Sequence, residues 1–208
     1  MAAKKGLIFG SCPVNSWGFL SEFLTWPDLV IAADGGLHAA RQAGFSPSVY
    51  IGDGDSGGRA EQGLVCVTLP EEKDVTDLEA AYQWARDQGV SELILTGCTG
   101  GRLDHHMAAM GLLETAAREG VRAVILDPGN RVEFLLPGKH VRTDPGYRYV
   151  SLIPADPVLK DLSIRGTKYE LSHRDVFRGS SLTVSNEFSG SVLELSFTGG
   201  ACWLIFSN

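Results

Sequence analysis

At 208 residues, with 44% hydrophobic and 21% charged side chains, the chain can bury one large core or two small ones and is not a disordered polyelectrolyte. Its formal net charge of -7 argues against nucleic acid as a partner, because a phosphate backbone needs a basic surface. The apolar run at 6–10 is too short for a signal peptide, and no segment approaches the roughly 20 apolar residues of a membrane span. Cys12, Cys66, Cys98 and Cys202 form no CxxC pair, so neither a zinc site nor a disulfide framework is expected. Cys66 and Cys98 sit in apolar runs and read as buried small hydrophobes, in a reducing cytoplasm.

Up to about residue 130, short apolar runs alternate with helical patterns. Residues 7–9 read as a buried strand, and 16–25 as a short helix with Trp17, Leu20 and Leu24 on one side. A strand at 29–33 precedes a helix at 37–43 that Gly44 stops. Strands follow at 49–52 and 64–69. A helix at 76–87 carries Leu78, Ala81, Tyr82 and Ala85 at three- and four-residue spacing. A strand at 93–96, a helix at 103–118 closed by Gly120, and a strand at 121–126 complete this part. Such alternation predicts a mostly parallel sheet with helices on both faces.

After Asp127-Pro128-Gly129-Asn130 helical periodicity almost vanishes. Strands are expected at 132–136, 140–142, 147–153, 159–165, 182–185, 192–196 and 202–206, the 192–197 stretch alternating with a period near two. The predicted division is therefore an α/β part, 1–130, and an antiparallel β-sandwich, 131–208.

Acidic clusters fall just after predicted strands or at helix starts, where open α/β sheets bind ligands. Asp34-Gly35-Gly36 follows a strand; the glycines permit a sharp turn, and the helix they open offers N–H groups to an anion, while Asp34 also suits an N-cap. In Gly52-Asp53-Gly54-Asp55-Ser56, two carboxylates one residue apart in extended backbone point the same way and could bridge divalent cations. The later ligands of a calcium-binding EF-hand loop are missing. In Lys73-Asp74-Val75-Thr76-Asp77, Thr76 or Asp74 caps the next helix, and Asp74 and Asp77 are three residues apart. The loop Gly97-Cys98-Thr99-Gly100-Gly101-Arg102 leads from a strand into a helix, a geometry that suits phosphate. Asp104 follows, either a site carboxylate or the ion-pair partner of Arg102. His105 and His106 face different directions on a helix, which argues against joint metal ligation.

Taken in order, these clusters resemble the thiamine pyrophosphokinase family. The resemblance continues through Gly166-Thr167-Lys168-Tyr169-Glu170-Leu171, Arg178-Gly179-Ser180-Ser181-Leu182 and Val184-Ser185-Asn186-Glu187-Phe188, and so covers the chain from about residue 30 to its end. It implies a Rossmann-like α/β catalytic domain, a C-terminal β-sandwich, and a homodimer in which thiamine lies between one subunit's catalytic domain and the Ser-Asn motif of the other. It implies Mg²⁺ ligation by Asp53, Asp55 and Asp77. ATP-binding positions are Asp34, Gly35, Gly36, Lys73, Gly100 and Gly101. Asp74, Arg102 and Asp104 match catalytic positions, with Asp74 and Asp104 both candidates for the proton acceptor. Ser185 and Asn186 match the thiamine-binding pair, and Phe188 or Trp203 could stack on the ring. Gly54 departs from the family's usual bulkier residue, and His106 and Ala109 replace its usual Thr and Asn. The implied reaction moves the diphosphoryl group of ATP to thiamine. A diphosphokinase for another alcohol, such as a hydroxymethylpterin, and a binding protein without turnover are the rival readings.

Overall fold

The computed structural model describes residues 3–53, 63–70 and 74–208, and the chain divides into two units, Met1–Pro128 and Gly129–Asn208. Gly54, Asp55 and Lys73 lie outside the described residues.

In the first unit the order is β1 (Lys4–Phe9), a 3-10 helix (Gly18–Phe23), β2 (Leu29–Ala33), α1 (Gly36–Gln42), β3 (Val49–Gly52), β4 (Val65–Thr68), α2 (Asp77–Asp87), β5 (Val90–Thr96), α3 (Leu103–Arg118) and β6 (Arg122–Leu126). The strands lie side by side as β4-β3-β2-β1-β5-β6, each pair parallel. Central strands covered on both faces need continuous apolar runs, and Leu7, Ile8 and Phe9 are fully buried. Leu7 and Phe9 pack with Leu20, Ala39, Ala40 and Phe45. The 3-10 helix buries Leu20 but leaves Leu24 half exposed, so the expected longer helix shrinks to one tight turn region held by a single apolar anchor. Cys66 is exposed, contrary to expectation, because β4 closes one side of this array and its residues are mostly open to solvent.

Two glycine contacts set the geometry that matters most. A Cβ on Gly36 would collide with the carbonyl oxygen of Phe9, so only glycine lets α1 start against the end of β1. A Cβ on Gly10 would stand 2.5 Å from the Gly97 oxygen, and one on Gly97 2.7 Å from the Gly10 oxygen. Bare Cα atoms thus let the exits of β1 and β5 press together, with Gly97 at φ +62°.

The second unit comprises β7 (Asn130–Leu135), β8 (Gly138–Thr143), β9 (Tyr149–Pro154), β10 (Val158–Arg165), β11 (Leu171–Phe177), β12 (Val192–Phe197) and β13 (Cys202–Ser207). Strand β13 pairs antiparallel with β7 and β9, and a second antiparallel sheet runs β11-β10-β12-β8. Both contribute to one core that includes Leu152, Leu162, Ile164, Leu195, Phe197, Leu204 and Phe206, as a sandwich requires. The alternation in β12 survives: Leu193, Leu195 and Phe197 are buried while Val192 and Glu194 face out. Two expectations fail. Strand β11 was invisible because, at the sheet's edge, it buries only Val176 and so carries no alternating signal. Residues 182–185 form a turn instead of a strand, because Ser185 at φ +57° leaves extended backbone.

Strands β7 and β8 carry a buried carboxylate, Glu133, and a partly buried imidazole, His140. Glu133 is held by Arg131 Nε at 2.9 Å and Arg142 Nε at 2.8 Å. His140 stacks on Phe197 at 5.7 Å, and its Nε2 lies 2.9 Å from the Leu136 oxygen. Burial lowers the His140 pKa, opposed by the Leu136 contact. The unfolded chain therefore binds this proton better than the folded one, so the stability present above about pH 6.5 is lost as pH falls through the lower folded value. Thermal midpoints between pH 7 and pH 5 are expected to drop more steeply for the native chain than for His140→Gln. Parallel pH profiles would disprove the linkage.

Candidate functional site

The sheet winds outward from β1 to β4 and then returns to the other side of β1 at β5. The winding direction reverses between β1 and β5, and ligand crevices of open α/β sheets form at such reversals, beyond the carboxyl ends of the strands. A cleft of about 480 Å³ lies there. Its lining comes from the turn Gly10-Ser11-Cys12 after β1, Ala33 and Asp34 after β2, Gly97 and Cys98 after β5, the start of α2 with Thr76 and Asp77, and the α3 face from His105 to Thr115. The N–H groups of Gly10 and Cys12 donate to Thr96 O and Gly97 O, both at 2.8 Å, which fixes the two exits against each other.

Asp34 has a positive φ of 49° and its N–H donates to Ile51 O at 2.9 Å. Aspartate is among the few side chains that tolerate this region. Among the described residues its Oδ1 is buried without a hydrogen-bond partner. A buried anionic oxygen left unpaired is costly, so its partner is expected from a ligand. Asp77 lines the same cleft. Thr76, and not Asp74, caps α2: its side chain accepts from the Glu79 N–H at 3.2 Å. Asp53 follows the end of β3 and Asp74 is exposed.

Other sequence-selected residues stand differently. At the start of α1 the Leu37 and His38 N–H groups donate to Asp34 O and Gly35 O at 3.3 and 3.2 Å. Gly35 and Gly36 serve close packing: a Cβ on Gly35 would come within 3.1 Å of Ser11 Cβ. A Cβ on Gly101 would stand 2.9 Å from Cys12 Sγ, and Gly100 takes φ +79°. Arg102 Nη2 pairs with Asp104 Oδ2 at 2.6 Å on an open surface, both side chains more than half exposed. The guanidinium's hydrogen bond holds the Asp104 carboxyl below the usual carboxylate range.

Sequence reasoning missed three contributors. The Gly10-Ser11-Cys12 turn had a readable signal, a glycine directly after a buried strand. His105 lines the cleft and is one of the two histidines set aside. Asp127, at the end of β6, accepts from Thr99 Oγ1 at 2.9 Å and so braces the glycine-rich loop. Cys98 is buried in the cleft floor, where burial first, then Cys12 and Asp127, push its thiol up to about 12, leaving it neutral at physiological pH.

In the second unit, Asn186 is 7% exposed and its amide is saturated. Oδ1 accepts from the N–H groups of Tyr169 and Glu187, both at 3.0 Å. Nδ2 donates to Thr167 Oγ1 at 3.0 Å and to Tyr169 O at 2.8 Å. Two lone pairs and two N–H groups are thus all spent within the fold, leaving none for direct contact with a ligand. Ser185 precedes it in the left-handed region, its N–H held by Ser151 Oγ at 2.9 Å. Tyr169, Leu182 and Val184 nearby in sequence to these contacts are exposed apolar side chains. Phe188 instead stacks on Phe206 at 6.2 Å, and Trp203 packs edge-on against Phe134 at 5.6 Å, so both belong to protein packing. Among the described residues no helix is long and apolar enough to cross a membrane.

A doubly wound parallel sheet with a cleft at its switch point, followed by an antiparallel β unit, defines a two-part α/β ligand-binding protein. Residues 20–125 match the family model of the thiamin pyrophosphokinase catalytic domain, and residues 140–202 that of its vitamin B1 binding domain. The chain is 30% identical over 198 residues to the thiamine pyrophosphokinase of Bacillus subtilis, spanning 92% of this chain and 91% of the relative. Among solved structures it is similar to thiamine pyrophosphokinase from Bacillus subtilis (TM-score 0.87, 28% identity, 99% of both chains). It is also similar to that from Geobacillus thermodenitrificans (TM-score 0.87, 32% identity, 98% of this chain and 97% of the other). The chain belongs to the thiamine pyrophosphokinase family and is an enzyme of that family.

Proposed function

We propose that the enzyme transfers the diphosphoryl group of ATP to the hydroxyl of thiamine, giving thiamine diphosphate and AMP, with the phosphates of ATP seated in the cleft between β1, β5 and α3. The observation that carries this reading is the meeting of Asp34, Asp77 and the Gly10 and Gly97 turns in one cleft at the switch point. Phosphoryl chemistry asks chiefly for positioning and charge neutralisation.

Asp53, Asp55 and Asp77 are the residues we assign to hold Mg²⁺. Hard carboxylate oxygens suit that ion, and the Asp34 oxygen, without a hydrogen-bond partner among the described residues, supports a cation nearby. Asp55 is outside the described residues, and among those described no cluster of three His, Cys, Asp or Glu side chains is arranged for a metal. When bound, the ion supplies neutralisation of phosphate charge. Arg102 exchanges its exposed pairing with Asp104 for the phosphates, with Lys73 adding charge, and the backbones of Gly100 and Gly101 follow the anion. Asp74 and Asp104 are the two carboxylates we assign as candidates to take the hydroxyl proton, Asp104 becoming available once Arg102 turns to the phosphates.

Ser185 meets the thiamine pyrimidine, and Asn186 acts as a positioning residue that builds the turn presenting it. The exposed Tyr169, Leu182 and Val184 support an apolar wall for a flat ring. We assign the working form as a homodimer, with the cleft of one subunit completed by Ser185 of the partner subunit. Four unpaired thiols support a cytoplasmic location.

The test is AMP release from ATP with and without thiamine, alongside the sedimentation mass. Thiamine-dependent AMP from a dimer is expected. AMP only with another alcohol, or ligand binding with no AMP, would overturn the assignment.

A further inference from the structure

Glycine in the interior of a helix costs about 1 kcal/mol relative to alanine, so an interior glycine calls for a reason. Gly111 sits in the middle of α3 (Leu103–Arg118). The glycines at 10, 36 and 97 have such reasons: a Cβ there would strike backbone. Gly111 has neither of the usual ones. Its φ is not in the left-handed region, and, apart from its chain neighbours and its own helix backbone, a Cβ built on it meets no heavy atom of the described residues within 4 Å. Gly111 is exposed and lines the cleft together with Ala108, Leu112 and Thr115. This wall is small and mainly apolar. The acidic and glycine-rich end, with Asp34, Asp77 and the loop before Arg102, is the part suited to phosphates. Gly111 lies nine residues along α3 from Arg102, about 13 Å at the helical rise, which separates a nucleotide's flat base from its phosphate end.

We propose that Gly111 is a specificity-determining residue: its missing side chain keeps the α3 wall of the cleft clear for the purine base of the nucleotide. The proposal rests on the assignment of the cleft to ATP and goes beyond it by naming what the far end of the cleft selects. Helix stability and ligand access are then opposed at one position, which makes their effects separable.

The experiment uses full-length Gly111→Ala and Gly111→Leu, with thermal midpoints, KM for ATP and for thiamine, kcat, and direct calorimetric binding of ATP. Both variants are expected to melt higher, Gly111→Ala by about 2–4 °C, from the gain in helix propensity. KM and Kd for ATP are expected to rise by a few-fold in Gly111→Ala and by roughly tenfold or more in Gly111→Leu, while KM for thiamine stays unchanged. The ratio of kcat/KM for CTP to that for ATP is expected to rise in both, because a pyrimidine is smaller. Variants that gain stability and keep native ATP affinity would overturn the proposal, since the space would then face solvent only. A rise confined to the KM for thiamine would also overturn it. Should Gly111→Leu fail to fold, Gly111→Ala decides by the same criteria. If the native chain releases no AMP, the proposed reaction fails, while ATP binding to the native and variant chains still decides the role of Gly111.

Discussion

Asp34→Asn is expected to lower kcat/KM for thiamine-dependent AMP release by about 100-fold or more, with a thermal midpoint equal to or above that of the native chain. The two expectations come from one fact. The Asp34 Oδ1 atom is buried and, among the described residues, has no hydrogen-bond partner, while lining the cleft proposed for ATP. Removing its charge removes a burial cost from the resting protein, so stability does not fall. Asparagine also accepts the positive φ of 49° and keeps the backbone bond to Ile51 O, so the turn survives. The same change removes an anionic oxygen that the bound state uses, and losing one such preorganised group costs on the order of 100- to 1,000-fold. Near-native turnover in a folded Asp34→Asn protein would show that this carboxylate serves the fold alone.

Asn186→Ala is expected to destabilise the chain by about 3 kcal/mol and to raise KM for thiamine at least tenfold in whatever fraction folds, leaving KM for ATP unchanged. Four hydrogen bonds disappear together, to Thr167, Tyr169 twice and Glu187. At about 1 kcal/mol net each, partly recovered by water, the sum reaches that size. Their loss frees the turn in which Ser185 is held at φ +57°. Urea denaturation gives the first number and initial-rate kinetics the second. A stable variant with a normal KM for thiamine would refute both the clamp and its connection to Ser185.

The two residues also mark how far each could be understood before folding. Asp34 stood out because an aspartate followed by two glycines directly after a buried strand is a local pattern with a local meaning. Asn186 was legible only as part of a resemblance. Apart from the adjacent Glu187 N–H, its amide partners lie 17 and 19 residues back in the chain, and nothing at positions 167 or 169 announces them. The resemblance marks it as a thiamine-binding position, and only the folded chain shows that its amide is hydrogen-bonded within the protein. The pairing of Arg102 with Asp104 was readable as an alternative because it spans only two residues.

Gly36 extends the point. Its glycine was noticed for the helix N-terminus it opens, yet what demands it is the Phe9 carbonyl, brought alongside from another strand. Cys66 looked buried because its neighbours are apolar, but burial is decided by how many strands lie beyond, and β4 has one pairing partner among the described strands.

The sequence by itself determined the alternating α/β pattern to residue 126, the change to β structure after it, the helix Leu103–Arg118, the family resemblance, and which aspartates follow which strands. These depend on side-chain periodicity and backbone preference, which act over a few residues. Tertiary structure alone decided the strand order, the reversal at β1 and β5, the cleft it opens, the polar edge strand β11, and which polar atoms remain available to a ligand. Those depend on contacts between segments far apart in the chain, where packing and hydrogen-bond satisfaction are settled between partners that no local window contains.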